Sequence, residues 1–83
     1  MNVVNFKLAL NRYIRGSQRE RMALAAFAVG NYAESVRRFW EAREYFYLAM
    51  DWLGDTKYFF EALQARTHAE LLAGYTEQLW LHS

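Results

Sequence analysis

Gly30 to Trp52 reads GNYAESVRRFWEAREYFYLAMDW, and this stretch decides the fold. It holds no proline, and its single glycine is its first residue. Tyr32, Val36, Phe39, Phe46 and Met50 fall on one helical stripe, which Ser35, Ala42, Ala49 and Leu53 widen. Asn31, followed three residues later by Glu34, predicts an N-cap with its capping-box partner. A helix of about 22 residues is about 33 Å long at ~1.5 Å per residue, as long as a small domain is wide. The rest of the chain is therefore expected to lie along it.

On the N-terminal side, Gly30 would close one helix while Asn31 opens the next. No residues are left for a loop, so the two helices should fold back as a tight antiparallel hairpin. Upstream, Val3, Phe6, Leu10 and Tyr13/Ile14 recur at helical spacing. Gly16 then looks like a stop, and Ser17 with Glu20 like a second capping box. A short N-terminal helical segment over 3–15 is expected, followed by a helix over 18–29; the alternative is one helix that tolerates Gly16. On the C-terminal side, Gly54 should stop the central helix, and Asp55 or Thr56 should cap a last helix over roughly 57–81. That helix has two adjacent apolar stripes. One runs through Phe60, Leu63, Thr67, Leu71 and Gly74, the other through Tyr58, Ala62, Ala65, Ala69, Leu72 and Leu79. Such a helix touches one neighbour and offers a second side to something else. Gly74 costs roughly 1 kcal/mol against Ala in a helix interior, so a backbone is expected to approach closely there.

Composition agrees. Eighty-three residues make a single domain over 1–83, and a chain this short buries only about 60% of its unfolded surface. With no proline, few β-branched residues and much Ala, Leu, Arg and Glu, the chain is expected to be all-α. The absence of cysteine excludes a disulfide framework, a thiolate metal site and a cysteine nucleophile. Net charge is +1 but unevenly spread: residues 1–30 balance to +4 and residues 31–83 to −3. No apolar run is long enough to cross a membrane. The first nineteen residues, arginine-bearing and free of acids, fit a mitochondrial presequence or the basic first helix of a bundle; the second is preferred.

Catalytic motifs are missing. There is no G-x-G-x-x-G, G-K-[ST], H-E-x-x-H or EF-hand loop. His68 and His82 are the only histidines, and Ala65 stands where a Glu-x-x-His di-iron motif needs its carboxylate. Glu34–Arg38 and Arg37–Glu41 read as i,i+4 pairs on a solvated face rather than as paired catalytic carboxylates. No enzyme, cofactor or metal is expected. Arg37, Arg38 and Arg43 among Phe39, Trp40 and Tyr47 have the make-up of a single-strand stacking surface. Glu34, Glu41, Glu44 and Asp51 on the same helix would repel phosphate, so nucleic acid is not the expected partner.

The stretch from Gly30 to Trp52 resembles the second helix of MIT (microtubule-interacting and trafficking) domains. Gly30, Asn31, Tyr32, Phe39, Ala42, Tyr45, Phe46, Ala49 and Trp52 occupy the family's places without a gap. Ala23, Ala26 and Phe27 suit the end of its first helix, and Leu63 to Leu72, LQARTHAELL, resembles its third. The resemblance covers residues 17–80, the expected core. Ser35, Arg43 and Glu70 depart from it, standing where Ala, an apolar residue and an aromatic are usual. A tetratricopeptide helix pair shares the G-x-Y, but a lone repeat cannot bury its face and the central helix is too long for one.

The resemblance implies an antiparallel three-helix bundle that serves as a non-catalytic adaptor. Its partner would be a short amphipathic helix from an ESCRT-III subunit, bound for endosomal sorting and membrane trafficking. A cytoplasmic, endosome-associated monomer, meeting membranes only through its partner, follows from the same likeness. By position, Arg43, Tyr47, Leu63, Arg66 and Leu71 would line a groove between the second and third helices, Leu71 being either groove or core. Trp40, His68 and Gly74 would be secondary contacts. Two alternatives are a scaffold in an autophagy lipid-kinase complex and a basic N-terminal helix lying on an anionic membrane.

Overall fold

In the computed structural model, which describes residues 3–54 and 56–83, the chain forms three helices: α1 (Val3–Ala28), α2 (Tyr32–Leu53) and α3 (Tyr58–Leu81). They run up, down and up in a bundle whose Cα atoms span 47 × 16 × 13 Å. The separate N-terminal segment expected before Gly16 is not there; α1 runs through it unbroken. Gly16 is glycine for a different reason. It is buried, and a Cβ added to it would lie 2.7 and 2.8 Å from Cε1 and Cδ1 of Phe46, so it makes room for a ring.

The first turn follows the sequence reading. Gly30 takes φ 77°, its N–H donates to the Phe27 carbonyl at 3.0 Å, and the Asn31 N–H donates to Ala26 at 2.9 Å. This is the Schellman closure, which needs a left-handed residue where glycine stands. Asn31 Oδ1 then accepts the Glu34 N–H at 3.3 Å and opens α2. The capping box is not reciprocal, because the Asn31 N–H is already used. Glu34 turns instead to Arg37 and to Arg38, the latter at 2.8 Å. The expected Glu34–Arg38 pair forms. Arg37 does not reach Glu41, which pairs with Arg38 at 2.9 Å and Arg19 of α1 at 3.7 Å.

The second turn is built differently. Gly54 is right-handed at φ −54°, so it does not end α2 by a left-handed turn. Thr56 does the closing: its N–H and its hydroxyl donate to the Leu53 carbonyl at 2.9 and 3.0 Å. Thr56 is thus spent on α2 and does not cap α3. Asp55, the other expected cap, lies outside the described residues. The N-cap position falls on Lys57, which makes no side-chain capping bond.

Packing follows a seven-residue rhythm of small side chains. Ala9, Gly16 and Ala23 on α1, Ser35, Ala42 and Ala49 on α2, and Ala62, Ala69 and Thr76 on α3 are all buried. Interleaved on α2 at the same spacing are the large buried residues Phe39, Phe46 and Leu53. The core is accordingly layered. Leu53 packs with Ala9, Ala49 and Ala62; Phe46 with Ala42 and Ala69; Phe39 with Ala23 and Ala73. Each layer has one large residue from α2 and small ones from its neighbours. Small residues let backbones approach, and α1 comes near enough for the buried Ser35 hydroxyl to donate to the Ala23 carbonyl at 2.8 Å. Both α1 and α3 therefore pack on α2, while hardly meeting each other. The arrangement is three corners of a square rather than a closed triangle.

Candidate functional site: a trench between α1 and α3

Because α1 and α3 stand apart, a trench runs between them with α2 as its floor. Three recesses lie along it in line. The first, about 320 Å³, is formed by Phe6, Leu10 and Tyr13 of α1, Leu53 of α2, and Tyr58 and Glu61 of α3. The second, about 410 Å³, shares Tyr13 and Glu61 and adds Ser17, Glu20, Phe46, Gln64, Ala65 and His68. The third, about 330 Å³, lies among Leu24, Phe27, Phe39, Leu72, Tyr75 and Thr76.

The walls have a pattern. On α1 they are residues 6, 10, 13, 17, 20, 24 and 27; on α3 they include 58, 61, 65, 68, 72 and 75. Steps alternate between three and four, the spacing of a seam that faces another helix. The floor, Phe39, Phe46 and Leu53, steps by seven. Large apolar side chains remain in water along the rims: Leu10 is 48% exposed, Leu24 49% and Tyr75 60%.

Two side-chain bridges cross the trench. The Phe6 and Tyr58 rings are tilted together at 5.8 Å, and His68 Nδ1 stands 3.8 Å from Glu20 Oε2. Charge elsewhere is handled on the outer side of α2. There Arg37, and then Arg38, hydrogen-bond Glu34 and hold its carboxyl below the usual carboxylate range. Glu41, and then Glu34, raise the Arg38 guanidinium above its ordinary value.

The expected groove between α2 and α3 looks different. Arg43 lies over the Trp40 ring at 5.7 Å and 3.9 Å from Glu70, and Arg66 lies over the Tyr47 ring at 5.8 Å. The two arginines fill this seam with the aromatics they stack on. Leu63 is half-buried beside it. Leu71 is 68% exposed on the outer side of α3 and is no part of the core. Gly74 is exposed, with nothing within 4 Å of where a Cβ would stand, so the close backbone approach expected there is absent. His68 is brought to the middle of the trench, away from Arg43, Tyr47 and Leu71.

The trench escaped the sequence reading, which noted only that Phe6, Leu10 and Tyr13 recur at helical spacing. The available signal was the small-residue series Ala9–Gly16–Ala23, which marks where α1 presses on α2 and leaves the larger residues to one side. Among the described residues no group of three His, Asp or Glu side chains is placed to hold a metal ion, and no helix is long and apolar enough to cross a membrane. No family model matches the chain, and neither does any curated protein or solved structure.

Proposed function

We propose that this domain is a non-catalytic adaptor that captures a short amphipathic helix in the trench between α1 and α3. The observation that carries the reading is the heptad spacing of both walls around a floor of Phe39, Phe46 and Leu53. A guest helix laid there is the fourth corner of a square bundle, and its apolar stripe covers rims that are otherwise wet. The likeness of Gly30 to Trp52 to MIT domains supports the same class of activity, with ESCRT-III tails as the partner and endosomal sorting as the setting. We place the site in the trench rather than in the groove that likeness implies, because Arg43 and Arg66 between α2 and α3 lie over the Trp40 and Tyr47 rings.

The test is a fluorescence-anisotropy titration of a labelled ESCRT-III C-terminal helix against the wild type and two variants. Ala65→Trp fills the middle recess and should abolish binding, while Leu71→Asp should leave it within a few-fold. Loss of binding in Leu71→Asp alone, with helicity unchanged by circular dichroism, would contradict the trench reading.

A second reading has its own observation. The outer stripe of α3 is also apolar, with Phe60 67% and Leu71 68% exposed. Apolar area on both sides of a helix fits a subunit embedded in a larger assembly, such as a lipid-kinase scaffold. Stable co-purification through Phe60 and Leu71, lost in Phe60→Ser with Leu71→Ser, would favour it.

A further inference from the structure

We infer that the helix seated in the trench comes from another protein and carries one lysine or arginine at the midpoint of its apolar stripe. This rests on the trench being the docking site. Its two ends are mostly apolar, with Phe6, Leu10 and Leu53 at one and Leu24, Phe39 and Leu72 at the other. Its middle is not: Glu20 of α1, beside His68, and Glu61 of α3, at the border with the first recess, both line the recess over Phe46, and no lysine or arginine is among the residues lining the three recesses.

Neither carboxylate is well paired. Among the described residues Glu20 has only the exposed His68 imidazole, at 3.8 Å, and Glu61 makes no ion pair. An all-apolar guest would strip water from both and give nothing back, which is the costly way to cover a charge. A guest with a central cation sets an opposite charge in the recess that both carboxylates line. A guest with a central carboxylate adds repulsion, which costs several-fold to many-fold in affinity.

Size follows from the walls. Residues 6 to 27 of α1 span about 32 Å at ~1.5 Å per residue, so the guest is a helix of about 21 residues, three heptads, with its cation in the second. A second copy of this chain does not fit the description. Its own outer apolar stripe, Phe60–Leu63–Thr67–Leu71–Gly74, in which Leu63 is half-buried, has Thr67 at the midpoint, and Arg66 is turned back over Tyr47.

The test uses three labelled 21-residue heptad peptides, identical except for Lys, Leu or Glu at the central seam position, titrated against the 83-residue chain. Affinity should fall in the order Lys, Leu, Glu, with about tenfold or more between the first and last at low salt. In Glu20→Gln with Glu61→Gln the Lys and Glu peptides should converge to within about twofold, while the Leu peptide still binds. Equal binding of the Lys and Glu peptides to the wild type would overturn the inference and leave the trench reading standing. Binding of none of the three, with the protein folded, would overturn both. Concentration-dependent dimerisation that the peptides compete away would assign the trench to a second copy and likewise overturn it.

Discussion

The two sides of α3 differ in who covers them. Towards α2, Arg43 and Arg66 lie over Trp40 and Tyr47, so the chain's own side chains pack on one another along this seam. Towards α1, alanines and a glycine at the contact with α2 hold α1 and α3 apart, and large residues line an open trench. What separates them is side-chain size at the points of helix contact. Small residues on α1 and α3 draw each helix onto α2, so that Phe39, Phe46 and Leu53 rise between them as a floor. A docking surface here is a consequence of how the core was filled.

The comparison is broken most forcefully at Phe46, which serves as core and floor together. Phe46→Ala should cost about 3–5 kcal/mol in chemical denaturation, the range for emptying a buried phenylalanine site. Leu71→Asp, on the outer side, should stay within about 0.5 kcal/mol, as exposed substitutions do. Equal losses would mean that the outer side of α3 is covered.

Next in size is Gly16→Ala. Alanine brings up to ~1 kcal/mol of helix propensity, but its Cβ would stand 2.7 Å from the Phe46 ring, too close unless the ring shifts. Overpacking of this kind costs about 1–3 kcal/mol, so the variant should melt lower than the wild type. Gly74→Ala sharpens the contrast, since the same exchange on α3 meets nothing within 4 Å. It should stabilise by about 0.5–1 kcal/mol. A matching sign for the two variants would remove the argument that α1 is held close to α2 by its small residues.

The smallest effect concerns acid. Glu34 has its carboxyl lowered by Arg37 and then Arg38, so it stabilises the fold above the ordinary carboxylate range. That contribution is lost as pH falls through the lowered value. Thermal melts at descending pH should show a shallower loss in Glu34→Gln than in the wild type, the variant melting slightly lower near neutrality and the two converging in acid.

Helices were legible because their stripes are long and their punctuation is local. Gly30 with Asn31 is a turn that two residues dictate, and the α2 stripe includes every residue that the structure buries from Ser35 to Leu53, with Met50 half-buried beside them. Gly16 misled because glycine has two uses, ending a helix and admitting a neighbour, and only the ring of Phe46, thirty residues on, decides between them. Thr56 misled in a similar way: a hydroxyl can satisfy the helix behind it or the one ahead, and here it bonds Leu53. The candidate site was half legible. Both stripes of α3 could be read, and one was recognised as free. That the free space would open on the α1 side depends on the relative approach of α1 and α3 to α2, a three-body property that no single helix pattern contains.

The most direct measurement is intermolecular nuclear Overhauser contact between a bound amphipathic helix and methyl-labelled leucines of this chain. A guest in the trench must touch Leu24 of α1 and Leu72 of α3 with the same side chain, because both border one recess. Contacts to Leu24 and Leu72 together are the predicted result. Contacts to Leu63 and Leu71, with Leu24 silent, would place the guest on the far side of α3 and contradict the trench.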